Sequence, residues 1–274
     1  VQANSTQGIW RPPTGPLGRL TDAAHQRAIS VRSRRNEFIA RASEQPPARP
    51  FAAVLRGDSV RVIAEVKRAS PSKGAIAPTL DAAAQAEAYV QGGAAAISVL
   101  TEPTAFAGSL EDLTAVSARV AVPVIRKDFL VDPVQLWEAR AAGASVALLI
   151  VRALPEALLH ALLAEAAAAG LEALVEVRDE SELTRALAAG ARVIGVNNRN
   201  LETLEIDPRT APGLIPHIPT SCIAVAESGM QTVADLQAAA AAGADAVLVG
   251  SAISAAADPA AVVDTLVRVP RRAR

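Results

Sequence analysis

Glu65 and Lys67 stand two residues apart at the end of an apolar run, Val62-Ile63-Ala64-Glu65-Val66-Lys67. In a strand, alternate side chains share a face, roughly 7 Å apart at about 3.3 Å of rise per residue. Both charges therefore fall on the row of Ile63, which a buried strand gives to the core. Opposite charges there are costly unless they pair or meet a charged ligand. Alone, they read equally as a structural ion pair or as part of a site. Repetition separates the two readings. Lys127 follows Ile125 in VPVIRKDF, and Glu176 follows Leu174 in LVEV. Asn197 and Arg199 close IGVNNRN, and Glu227 closes IAVAE. Acids and amines brought close together shift each other's pKa values, which is how proton donors and acceptors are tuned. Carboxylates alone would also suit a magnesium-type metal, but the interleaved lysines compete for them.

Two further strand ends differ in kind. Ser228-Gly229 and Gly250-Ser251 put small residues where the chain leaves its last two strands. Short turns of this type expose backbone N–H groups, and a following helix N-terminus adds partial positive charge, so the pair suits a phosphate. A tight turn is the plainer reading of Gly250; its coincidence with Gly229 in the neighbouring unit favours the anion. Ser70 opens a polar turn, Ser70-Pro71-Ser72-Lys73-Gly74, just past Lys67. Leu100, Phe106 and Phe129 are apolar residues beside the second and third strand ends, where the rings could wall a pocket or simply belong to the core. His25, His160 and His217 fall away from strand ends and receive no role.

The elements that position these residues form a cycle. Apolar, β-branched runs occur near 62–66, 96–100, 122–126, 146–151, 173–177, 192–197, 222–226 and 245–250. Alanine-rich helical patterns lie between them near 80–92, 109–118, 133–142, 155–169, 179–189, 232–242 and 258–268. The joints share a phrase, as in AAGASVALLIV and AAGADAVLVG, in which Gly ends a helix and a strand follows. Only the stretch holding Pro208, Pro212, Pro216 and Pro219 is irregular, with room for a helical turn or two. Alternating strands and helices imply parallel pairing. Eight units predict a (β/α)8 TIM barrel, whose strand ends open on one face. A doubly wound sheet is the competing fold, but its Gly-rich nucleotide turn is absent after the first strand. Ahead of the cycle, residues 17–55 predict a helical extension, with a basic helix to about Ser43 and a short helix from Phe51. Residues 1–16 are polar, rich in Pro and Gly, and expected to be mobile, with Trp10 as a lone anchor or an exposed ring.

Composition excludes several classes. The 274 residues carry a formal charge of −1 and only 3% aromatics, which leaves neither basic bulk nor stacking platforms for nucleic acid. No run approaches the length of a membrane span, and the first residues lack the order of a secretory leader. The single cysteine, Cys222, excludes an internal disulfide and a cysteine-based zinc cluster, and fits a reducing, cytoplasmic setting as a small buried hydrophobe.

Five motifs, in order, resemble the indole-3-glycerol-phosphate synthase family: IAEVKRASPSKG, ISVLTEPTAFAGSLEDL, PVIRKDFLVDPVQLWEARAAGA, LVEVRDESELTRALAAGARVIGVNNRNLETLEID and AESGMQTVADLQAAAAAGADAVLVGSA. The resemblance runs from about Leu17 onward. It implies a barrel with an N-terminal helical extension over the active face. It also implies conversion of 1-(2-carboxyphenylamino)-1-deoxyribulose 5-phosphate to indole-3-glycerol phosphate, CO2 and water in tryptophan biosynthesis. No cofactor, metal or obligate protein partner is implied. Under it, Lys127 resembles the general acid on the ketone oxygen, and Lys67 the group holding the departing carboxylate. Glu176 resembles a base or stabiliser of the cationic intermediate, and Glu65 a base for dehydration. Asn197 and Glu227 resemble hydroxyl-binding groups, and Arg199 and Ser70 orienting groups. Ser228, Gly229, Gly250 and Ser251 correspond to the phosphate site. Leu100, Phe106 and Phe129 correspond to the wall around the anthranilate ring. Ser251 stands where many members have Glu, and its hydroxyl still suits a phosphate. A sibling such as phosphoribosylanthranilate isomerase would need Cys at the first strand end, where this chain has Glu65 and Lys67. A non-catalytic phosphosugar-binding barrel should show broken acid–base positions, and none is broken.

Overall fold

The protein is described here by a computed structural model covering residues 10–274. Residues 1–9 of the segment expected to be mobile lie outside the described residues. Eight parallel strands close into a barrel: β1 (Arg61–Val66), β2 (Ala96–Leu100), β3 (Val124–Lys127), β4 (Val146–Ile150), β5 (Glu172–Val177), β6 (Val193–Asn197), β7 (Ile223–Glu227) and β8 (Ala246–Val249). Each strand pairs with its neighbours in sequence, and β8 closes on β1 through Arg61 to Ala246 and Ala64 to Val249. The strands form because their Val, Ile, Leu and Ala side chains are buried on both faces, inside the barrel and beneath the helices. Helices return the chain between strands. The shared Gly at the joints has a physical cause: Gly143 and Gly243 take φ of 90° and 93°, the left-handed turn that ends a helix and aims the chain at the next strand. The proline-rich stretch holds only α9 (Thr210–Leu214) and one 3-10 turn, as its prolines require.

The extension differs in one respect from the single helix expected to about Ser43. It divides into α1 (Gly15–Val31) and α2 (Arg35–Glu44), with a 3-10 turn at Arg32–Arg34 between them. The break falls at Ser30-Val31-Arg32-Ser33, where serine and a β-branched residue favour helix weakly. It turns α2 so that Phe38 packs with Val134 and Ala141 on α6 (Pro133–Ala141), while Arg32 bonds Asp132 at 2.6 and 2.8 Å. α1 lies across the C-terminal mouth of the barrel. Leu17 N–H donates to Leu201 O at 3.0 Å, Thr14 N–H to Glu202 Oε1 at 2.7 Å, and the Trp10 indole to Arg152 O at 3.3 Å. Among the described residues, no helix is long and apolar enough to cross a membrane.

Candidate active site

Strand register gathers the charges. Glu65 stands beside Ser98, Leu100 beside Lys127, Ile150 beside Glu176, and Asn197 beside Glu227. Every one of these positions is at or near a C-terminal strand end, so the side chains meet at one mouth. They line a single cleft, partly open to solvent. All the residues singled out from the sequence line it: Glu65, Lys67, Ser70, Leu100, Phe106, Lys127, Phe129, Glu176, Asn197, Arg199, Glu227, Ser228, Gly229, Gly250 and Ser251.

Lys127 stands among the acids. Its ammonium lies 3.7 Å from Glu65 Oε2 and 3.7 Å from Glu227 Oε2. Lys67 lies one residue past β1 and closes on Glu65 Oε1 in a direct ion pair. Glu65 and Glu227 are each 1% exposed, so these interactions are weakly screened. Both carboxyl oxygens of Glu227 are buried with no hydrogen-bond partner among the described residues. Space for this carboxyl comes from Gly195, where a methyl group would run into Glu227 Oε1.

Protonation follows from this packing. Burial would raise the Glu65 carboxyl, but the charges of Lys67 and then Lys127 outweigh it and hold Glu65 below the ordinary carboxylate value. Burial would lower the Lys127 ammonium, but Glu65, Glu227 and Glu176 outweigh it and keep the proton on. Glu227 goes the other way. Burial, opposed by Lys127 and reinforced by Glu176 and Glu65, pushes its carboxyl up to about 8. The rise favours the protonated form of Glu227, which can donate a hydrogen bond.

That assignment has a stability consequence with a definite sign. Folded Glu227 keeps a proton that the unfolded chain releases near 4.5, so its contribution to stability is complete below 4.5 and lost as pH rises to about 8. Glu227→Gln cannot titrate. It is expected to melt a few degrees above wild type at pH 9, with the gain shrinking towards pH 4, as checked by thermal melts at both pH values. A pH-independent difference would show that Glu227 is not held protonated.

The rest of the cleft divides into two ends. Ser228 and Gly229 take φ of 63° and 81°, successive left-handed residues that turn the chain out of β7. Successive N–H groups in such a turn form an anion-binding concavity. Gly250 precedes the one-turn helix α11 (Ser251–Ser254), and Ser251 is its first residue. At the other end, the Phe106 and Phe129 rings lie 6.4 Å apart, tilted by 38°. Arg199 donates to Leu204 O at 2.7 Å, and no carboxylate pairs with it among the described residues. Asn197 Oδ1 accepts the Arg199 N–H at 2.9 Å.

Sequence reasoning missed several lining residues. Leu17 and Leu20 reach the cleft from α1, and Leu148, Leu248 and Met230 complete its apolar wall. Nothing in the local pattern of α1 shows which partner these leucines meet. Two buried acids were also missed as supports. Asp128 accepts from Arg27 of α1 at 2.7 Å, from Thr101 Oγ1 at 2.8 Å and from Phe129 N–H at 2.8 Å. Glu102 is fully buried and accepts from Ala105 N–H at 2.6 Å and Phe106 N–H at 3.3 Å, which fixes the loop bearing Phe106.

A closed parallel barrel with buried acids and amines converging on its C-terminal mouth defines an acid–base enzyme of the (β/α)8 class. Residues 20–266 match the family model for indole-3-glycerol phosphate synthase. The indole-3-glycerol phosphate synthase 1 of Streptomyces coelicolor is 54% identical over 232 residues, 85% of this chain and 86% of that protein. The indole-3-glycerol phosphate synthase of Mycolicibacterium smegmatis is 51% identical over 245 residues, 89% of each chain. The chain belongs to the indole-3-glycerol phosphate synthase family, whose members are carboxy-lyases. Similarity of fold extends further: 3-hexulose-6-phosphate synthase from Salmonella typhimurium superposes with a TM-score of 0.62 at 16% identity, over 76% of this chain and 97% of that one.

Proposed function

We propose that the mouth of this barrel closes the indole ring of 1-(2-carboxyphenylamino)-1-deoxyribulose 5-phosphate, releasing CO2 and water to leave indole-3-glycerol phosphate. The observation that carries the residue assignment is the Lys127 ammonium, held charged between Glu65 and Glu227 at the centre of the cleft.

The substrate is flexible and anionic at both ends. The turns at Ser228-Gly229 and Gly250-Ser251 take the phosphate, and Leu100, Phe106 and Phe129 take the aromatic ring. Holding both ends brings the carboxyl-bearing ring carbon onto the ketone carbon, an encounter that is rare in free solution. As that bond forms, the ketone oxygen gains charge and takes a proton from Lys127. The ring carboxylate, oriented by Lys67 and Arg199, leaves as CO2, and its bonding electrons restore the aromatic ring. Loss of the new hydroxyl as water, assisted by Lys67, gives a cationic intermediate that the carboxylates stabilise. Glu65 or Glu176 removes the last proton to complete the indole. Glu227, whose carboxyl is shifted towards its protonated form, hydrogen-bonds the substrate hydroxyls with Asn197, and Ser70 helps orient the substrate. The scheme needs no metal or cofactor. It carries with it a cytoplasmic setting and no obligate protein partner.

Incubation of the purified chain with this substrate should produce indole fluorescence, with one CO2 released per indole formed. Substrate that binds but yields neither product would overturn the reading.

A further inference from the structure

The only tyrosine in the chain is fully buried beneath the mouth, outside the cleft lining. Tyr89 lies on α4 (Ala82–Gln91), and its hydroxyl sits at the meeting point of three elements. Gln85 Nε2, one turn earlier on α4, donates to Tyr89 Oη at 2.9 Å and to Ile253 O of α11 at 3.3 Å. Ser254, the last residue of α11, donates its hydroxyl hydrogen to the backbone carbonyl of Glu65 at 3.0 Å. That hydrogen is the only one Ser254 Oγ has. The two hydroxyls lie 3.3 Å apart, and Tyr89 also donates to the Glu65 carbonyl at 3.4 Å. Gln85 holds the Tyr89 hydroxyl, and the Tyr89 and Ser254 hydroxyls converge on the Glu65 carbonyl.

The ends of this chain of bonds give it meaning. It terminates on the main chain of Glu65, next to the Glu65–Lys67 ion pair. It also holds α11, through Ser254 and the Ile253 carbonyl, and the first residue of that helix, Ser251, forms with the preceding Gly250 one of the two turns assigned to phosphate. The same turn also touches the ion pair directly: a methyl group at Gly250 would lie 2.7 Å from Glu65 Oε1 and 3.1 Å from Lys67 Nζ. The turn and the charged strand end are thus packed together with no slack, and the buried hydroxyls bridge them on the side away from solvent.

We propose that Tyr89 and Ser254 are positioning residues that fix the distance between the Gly250-Ser251 turn and the Glu65–Lys67 pair. The proposal rests on the reading that the turn anchors phosphate while the pair acts at the opposite end of the reacting bonds. Loosening the bridge leaves every substrate contact in place but lets the anchored end shift relative to the reacting end. A misplacement of that kind lowers the rate more than the affinity.

The test is steady-state kinetics on Tyr89→Phe, Ser254→Ala and the double variant, at a temperature well below the melting point of each. Each single variant is expected to lose about 10-fold in kcat with KM within about 2-fold of wild type. The double variant is expected to fall well short of the product of the two single losses, because the two hydroxyls touch each other and share the Glu65 carbonyl. A purely structural role would lower the melting temperature and leave kcat untouched. Near-wild-type kcat in either single variant, or losses that multiply in the double, would overturn the proposal. A wild-type chain with no turnover would instead overturn the functional reading itself.

Discussion

Lys127→Ala is expected to lower kcat by about 10²-fold or more while substrate still binds. The ammonium lies 3.7 Å from both Glu65 and Glu227, and the surrounding acids keep it charged. An alkoxide forming at the ketone carbon then lacks the ammonium that stood between Glu65 and Glu227. Binding should persist because the phosphate turns and the Phe106–Phe129 slot do not depend on Lys127. The fold should persist as well. Glu65 keeps its contact with Lys67, and Glu227, freed from the pull of Lys127, is driven further towards its neutral form. The measurement is kcat alongside a direct dissociation constant for substrate in the inactive variant. Near-normal kcat would remove Lys127 from its role, and loss of binding would recast it as an anchor.

Glu65→Ala should combine a loss of activity with a loss of stability. Glu65 is the shared anion of two ammonium groups, and it is almost completely buried. Removing it leaves the cations facing each other at the end of β1. Glu227 relieves Lys127 by ionising, since the charge of Lys127 already acts to lower its pKa. Lys67 has no such substitute among the described residues. Breaking a buried ion pair from one side costs about 3–5 kcal/mol, and some escape of Lys67 to solvent places this case near the lower figure. That corresponds to a drop of about 10 °C in melting temperature. Turnover should fall by about 10²-fold with it, because Lys67 no longer has a fixed position. Thermal melts and kinetics on the same preparation check both parts. A variant as stable as wild type would mean the pair contributes nothing to the fold.

The sequence shows a strand-end residue in a direct way. A charge on the alternate row of an apolar run has few places to go, and a parallel barrel sends all such places to one mouth. That logic carried Glu65, Lys127, Glu176, Asn197 and Glu227 to the site together. It also carried the glycine turns, because small residues recur at two adjacent strand ends. What it did not carry are contacts decided by how distant elements lie against each other. Leu17 faces the cleft only because α1 crosses the mouth, and no local pattern encodes that crossing. Tyr89 reads as an ordinary core residue of an alanine-rich helix. Arg27 reads as one of several arginines on a solvated face, although it bonds Asp128 beneath Phe129. The break at Arg32–Arg34 was hidden because weak helix formers become a boundary only when a second helix rewards the turn.

Closure of the ring between β1 and β8 has a consequence for synthesis. Residues 61–64 pair with residues 246–249, so the first strand leaves the ribosome long before its partner exists. Glu65 and Lys67 meet Gly250 only when that last seam forms. A nascent or prematurely stopped polypeptide would hold most of the acids and amines of the mouth yet lack one of the two turns proposed for phosphate, so under that proposal competence to react arrives all at once, with the final strand.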